Sequence, residues 1–144
     1  MVNSVSGLRS LADYRQLSGI VGARIDGSRR YKPSSGISVQ EMTFTADTNT
    51  FDWGRSAYKS THVEAERATR TVFKLPLKKS GACIDLASIR SHIALREERT
   101  WQDYDAPGFS VMFFSPTSSL KSGLYFMDGK CLSEIGFSQE EPKD

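Results

Sequence analysis

The last third of this chain alternates apolar and polar residues in three short runs, Phe109–Ser115, Gly123–Met127 and Cys131–Ser138, with turn formers between them. Asp128-Gly129, between the second and third runs, is a two-residue hairpin signal. Parallel neighbours need long crossovers, which these short connections do not provide, so the pairing they predict is antiparallel. Everything upstream has to fit that frame.

Val21, Ala23 and Ile25 alternate with Gly22, Arg24 and Asp26. Asp26-Gly27 predicts a hairpin turn, prolonged by the loop from Tyr31 to Gly36. Ile37 and Val39 restart the alternation, and Met42 and Phe44 continue it one residue out of phase. A bulge near Gln40-Glu41 reconciles the two phases. Ala46–Ser60 is polar and reads as a long loop, whereas Thr71, Phe73, Leu75 and Leu77 recur as a strand. Between them, Thr61-His62-Val63-Glu64 matches a capping box and predicts a helix through Thr69. Val63 and Ala65 also fit period two, so a long strand from about Val63 stays open beside that helix.

Helical spacing is confined to short pieces. Leu8, Leu11, Ala12 and Arg15 predict a helix stopped by Ser18-Gly19. Asp85 suits an N-cap, Ile84 and Ile89 have staple spacing, and Leu86, Ile89 and Ile93 line one face of a helix ending near Leu95. Arg96–Arg99 reads as a solvated charge cluster, followed by a loop over Thr100–Gly108. The fold class that results is α+β: a single domain over residues 1–144, a mainly antiparallel sheet of at least five strands, and two or three short helices.

Composition narrows the function. A net charge of +2 excludes a strongly basic nucleic-acid arm or an acidic tail. No apolar run approaches the ~18 residues of a membrane span, and Met1–Gly7 lacks the apolar region of a signal peptide. Cys83, before the third helix, could act as a thiolate with His62 or His92 as base, though His92 lies far up the helix axis. Cys83 and Cys131 also suit a disulfide, since they sit at element ends bracketing a helix and two strands. Closing that loop of about 49 residues contributes about 4 kcal/mol in the chain-entropy model. Two buried thiols in a cytosolic protein remain the third reading. A periplasmic chain whose leader has been removed reconciles the disulfide with the N-terminal sequence.

No metal or cofactor is expected, because the two His and two Cys lack ligand spacing. Asp103-x-Asp105 lies in a turn-forming stretch. Gly22–Ser28 lacks the lysine of a phosphate loop, and the S-x-x-K matches at Ser56 and Ser118 lack their companion motifs. Arg24, Arg29, Arg30 and Lys32, with Tyr31 between, form a basic hairpin that could meet phosphates. Trp101, Asp103, Tyr104 and Asp105 put two rings and two acids in one loop, and Phe51, Asp52 and Trp53 repeat that composition in another. Trp and Tyr are enriched at interface hot spots, so both loops are candidate partner-binding surfaces.

The segment Cys83–Gln139 resembles small periplasmic immunity proteins of bacterial type VI or contact-dependent toxin systems. The likeness rests on a C-I-x-x-x-x-I helix start (Cys83, Ile84, Ile89), a short β-meander, and a C-L-S-x-I-x-F closing strand (Cys131, Leu132, Ser133, Ile135, Phe137). That resemblance implies a non-enzymatic module that binds and occludes a cognate toxin in the periplasm. The alternative expectation is a small nucleic-acid-binding domain using the Arg24–Lys32 hairpin, and free cysteines would make the chain cytoplasmic.

Overall fold

The computed structural model describes residues 1–47, 50–79, 81–93, 96–102, 107–115 and 118–142, with backbone alone at 96–98. Eight strands form one antiparallel sheet: β1 (Arg24–Ser34), β2 (Ile37–Thr45), β3 (Ala57–Val63), β4 (Ala68–Pro76), β5 (Arg96–Gln102), β6 (Phe109–Phe114), β7 (Lys121–Phe126) and β8 (Glu134–Pro142). Their spatial order is β1-β2-β3-β4-β8-β7-β6-β5. Two four-stranded meanders are thus joined through β4 and β8, which leaves β1 and β5 as the edges. Among the described residues, three α-helices, α1 (Val2–Ser6), α2 (Tyr14–Val21) and α3 (Leu86–Arg90), and a 3-10 turn at Trp53–Arg55 complete the elements, so the α+β class holds in a β-rich form.

Alternation decides which residues meet. In β4, Thr71, Phe73 and Leu75 are buried while Arg70, Val72 and Lys74 are exposed. The register carries the buried set across the sheet, from Met42 to Tyr58, Phe73 and Phe137. Phe73 is the hub: its ring lies 5.8 Å from Phe44, 6.3 Å from Trp53 and 6.0 Å from Phe137. Val2, Val5, Leu8, Leu11 and Leu17 from the N-terminal segment close this core. Buried polar groups latch the segment down. Gln139 accepts from the Leu11 amide at 2.6 Å and donates to the Arg9 carbonyl at 3.0 Å, and the Ser6 and Ser122 hydroxyls lie 3.0 Å apart.

Tyr58 adds a further latch, its hydroxyl donating to the Leu11 carbonyl at 2.8 Å. Burial, followed by the nearby Asp13 charge, pushes this phenol well above its usual value. A raised folded-state pKa means that the contribution is intact below about pH 10 and is lost as pH rises beyond it. Tyr58→Phe should therefore cost about 1–2 kcal/mol at neutral pH, by leaving the Leu11 carbonyl without its donor. The variant should also lose stability less steeply than the parent in urea titrations above pH 10. Equal alkaline slopes would remove the titration from the account.

Several local expectations need correction. Asp26-Gly27 is a bulge inside β1, where the register shifts between Ile25 and Gly27, and the β1–β2 turn lies at Gly36, with φ +77°. The bulge expected near Gln40-Glu41 is absent: β2 pairs with β3 without a register shift, so Ile37 and Val39 lie on the sheet face opposite to Met42 and Phe44. The capping box at Thr61 does not start a helix, and no single strand runs on from Val63: β3 ends there, and β3 and β4 form a hairpin with Arg67 at φ 48°. Residues 57–60 belong to β3 rather than to a loop, and the Arg96–Arg99 charge cluster forms the edge strand β5 together with Thr100–Gln102, the start of the expected loop. The first predicted helix is misplaced: Leu8, Leu11 and Ala12 lie outside any helix, between α1 and α2, and α2 holds only Arg15 of the predicted set and runs through Ser18-Gly19 to a left-handed cap at Gly22. Asp85 does cap α3, accepting from the Ser88 amide at 2.9 Å, but that helix ends at Arg90.

Candidate binding face

The two sheet faces differ. One carries the core and the N-terminal segment. The other shows Val72 39% exposed beside exposed Lys74, with Gly136, Gly123 and Met112 half-buried further across. Register places Lys74, Gly136, Gly123, Met112 and Arg99 in one row across this second face, and Lys59, Val72, Ser138, Lys121 and Phe114 in the next.

Trp101 belongs to this second face. It sits on the edge strand β5 in a row with Ser110, Tyr125 and Glu134, and it is 37% exposed. The Arg99 guanidinium lies 5.0 Å from its ring centre. Two more cation–π pairs share the face: Arg29 over Tyr31 at 4.5 Å and Lys121 over Phe114 at 5.6 Å. Each arises because strand side chains at i and i+2, or directly opposite on neighbouring strands, point the same way. A basic residue two positions from an aromatic one, as in Arg29-x-Tyr31 and Arg99-x-Trp101, was the signal available beforehand.

Asp103, Tyr104 and Asp105 lie outside the described residues. The Gln102 side-chain amide donates to the Gly108 carbonyl at 3.1 Å. The Pro107 backbone packs so closely on Gly129, at φ +78°, that no side chain would fit there.

Cys83 and Cys131 are joined by a disulfide, with Cα atoms 4.9 Å apart. This removes the thiolate expected of Cys83, since neither sulfur is free to attack. The bridge ties the β4–α3 segment to the β7–β8 connection on the wall of a cleft of about 820 Å³. Lys78, Lys79 and Arg55 face Asp128 and Glu134 around that cleft, and Met127 is 61% exposed at its margin. Amides of Cys131 and Lys130 donate to Asp128 and hold its carboxyl below the usual range, and the Ser88 amide does the same for Asp85. Both half-cystines are thus presented by carboxylate-capped turns. Asp128-Gly129 is consequently part of a seven-residue connection between β7 and β8, not a two-residue hairpin.

Trp53, expected at a partner surface, is a core residue instead. It is 6% exposed and stacks on Phe73 on the covered face. Phe51 packs against it at 6.2 Å and pairs with Leu77, and Asp52 lies 4.0 Å from Arg55. The Phe51–Trp53 and Trp101 segments therefore do not converge, because the sheet separates Trp53 from Trp101. The Arg24–Lys32 segment is an edge strand with its cations on two sides. Arg29 stands beside Tyr31 on the second face, while Arg30 bonds Gln40 at 2.9 Å in the opposite register phase.

His62 pairs with Thr69 at 3.0 Å, and His92 donates to the Ser88 carbonyl at 2.9 Å. Among the described residues, no three His, Cys, Asp or Glu side chains converge on a metal position. No helix there is long and apolar enough to cross a membrane. No protein-family model, curated protein or solved structure matches this chain.

Proposed function

We propose that this chain is a non-enzymatic binding module that occludes a protein partner, in the manner implied by its resemblance to periplasmic immunity proteins of toxin systems. The observation that carries this reading is Trp101, an exposed ring on an edge strand of the uncovered sheet face, preset by the guanidinium of Arg99. Large aromatic rings with little freedom to lose are the usual anchors of protein interfaces. The cross-link between Cys83 and Cys131 supports an oxidising compartment, the periplasm in a bacterial host. Inhibition would follow from steric coverage: the β5–β6 end enters the partner's cleft and keeps its substrate out.

The partner to test is the product of the gene adjacent to this one, which toxin systems encode beside their antidote. Titration calorimetry should give a one-to-one complex that Trp101→Ala weakens by about 2 kcal/mol, roughly 30-fold. Melting temperature should stay within the small range of a surface substitution, because Trp101 contributes little to the core. Unchanged affinity would move the interface away from Trp101. Absence of any complex would sink the reading.

A further inference from the structure

Among the described residues, the uncovered face bears more cations than acids. Arg24, Arg29, Lys59, Lys74, Arg99 and Lys121 stand on it against Glu41, Glu134 and Glu140, with Arg70 beside the last of these. Two of the acids are already engaged: Glu41 accepts from the Tyr31 hydroxyl at 2.8 Å, and Glu140 lies 3.5 Å from Arg70. Lys59 and Lys74 make no ion pair among the described residues. Among the described residues this side thus carries a cationic surplus, in a chain whose net charge is only +2.

The middle of that side is bare backbone. Gly123 and Gly136 are direct partners on β7 and β8. Neither has a positive φ. A Cβ at Gly136 would meet nothing within 4 Å, and one at Gly123 would meet only the Gly136 carbonyl at 3.9 Å. Glycine weakens a strand, and neither backbone conformation nor internal crowding demands it here. Lys74 flanks the floor from β4, and Lys121 flanks it from two residues along β7, about 12 Å away at ordinary strand spacing and rise.

We infer that this face docks an acidic segment of a partner protein, laid over Gly123 and Gly136 with its carboxylates reaching Lys74 and Lys121. The inference rests on the binding-module reading and names the chemistry of the partner. Charge complementarity selects the occupant. A nucleic acid is disfavoured, because Tyr31, Trp101 and Phe114 already carry the chain's own cations over their rings and are not free to stack on bases. The interspersed acids would also meet a continuous line of phosphates.

The probes are a fluorescein-labelled Glu-rich peptide with one central phenylalanine and an oligo-dT of similar length, followed by anisotropy at low salt with the full chain. The peptide should bind, and the double change Lys74→Gln with Lys121→Gln should weaken it at least tenfold. Gly136→Leu should weaken it by a similar factor. Gly136→Ala, read on the same samples by thermal melting, should hold or raise the melting temperature while weakening the peptide several-fold. Equal peptide affinity for parent and Gly136→Leu would overturn the inference, as would a lowered melting temperature in Gly136→Ala, since the glycine would then serve the fold. If the peptide fails while the adjacent-gene complex still depends on Trp101, the inference falls and the module reading stands. Tighter binding of oligo-dT than of peptide, lost in the lysine variant, would sink both.

Discussion

Trp53→Ala should lower stability by about 3–5 kcal/mol, the range for truncating a large buried ring. For a chain of this length that is a fall of roughly 10 °C in melting temperature. The ring is 6% exposed and lies between Phe51 and Phe73, so its removal leaves a void beside the hub of the core. Its indole Nε1 is buried without a hydrogen-bond partner among the described residues, so Trp53→Phe should cost much less than the alanine change. Phenylalanine retains most of the ring contacts and buries no unpaired donor. Urea melts of the two variants, with Trp101→Ala alongside, check this directly. A Trp53→Ala protein as stable as its parent would put the ring outside the core.

Breaking the Cys83–Cys131 bridge should be nearly as costly. The half-cystines are 48 residues apart in sequence, and closing a loop of that size stabilises by about 4 kcal/mol in the chain-entropy model. Reduction, or the double change Cys83→Ser with Cys131→Ser, should lower the melting temperature by about 10 °C, with the far-ultraviolet spectrum of the sheet retained at low temperature. The spectrum survives because backbone bonds still hold the cross-linked segments. The Leu132 amide donates to Ile84 at 2.8 Å, and the Leu77 amide donates to Ser133 at 2.9 Å. Two reactive thiols in denatured protein that never met a reductant would remove both the bridge and the oxidising compartment it supports. An unchanged melting temperature on reduction would show that the native contacts alone hold this end of the sheet.

The two tryptophans show where composition stops being informative. Phe51-Asp52-Trp53 and Trp101 with its neighbouring acids look alike in sequence, as aromatic and acidic residues in polar stretches. Their fates differ because of where the chain returns. The Asp52 amide bonds the Pro76 carbonyl at 2.8 Å, which turns Trp53 inward over Phe73. Trp101 falls in register with Ser110, and that pairing points it to the opposite face. Both outcomes depend on long-range pairing, which no local pattern encodes.

Where a short-range rule sufficed, the residues themselves determined the result. Period two in Phe73 and Leu75, and in Ile135 and Phe137, specified antiparallel strands with one apolar face, since a one-residue slip would turn every ring to water. The Asp85 cap and the turn at Asp128-Gly129 are likewise local, each set by a carboxylate accepting from amides two or three residues on. Only the tertiary structure decided the joining of the two meanders through β4 and β8, and with it which face the N-terminal segment covers. It also chose between helix and hairpin at residues 61–69, because pairing of β3 with β2 on one side and β4 on the other satisfies backbone groups that an isolated helical turn would leave to water. The cationic, glycine-floored face is a product of that same pairing. Lys74, Gly136, Gly123 and Arg99 are far apart in sequence and become neighbours only when the register is complete.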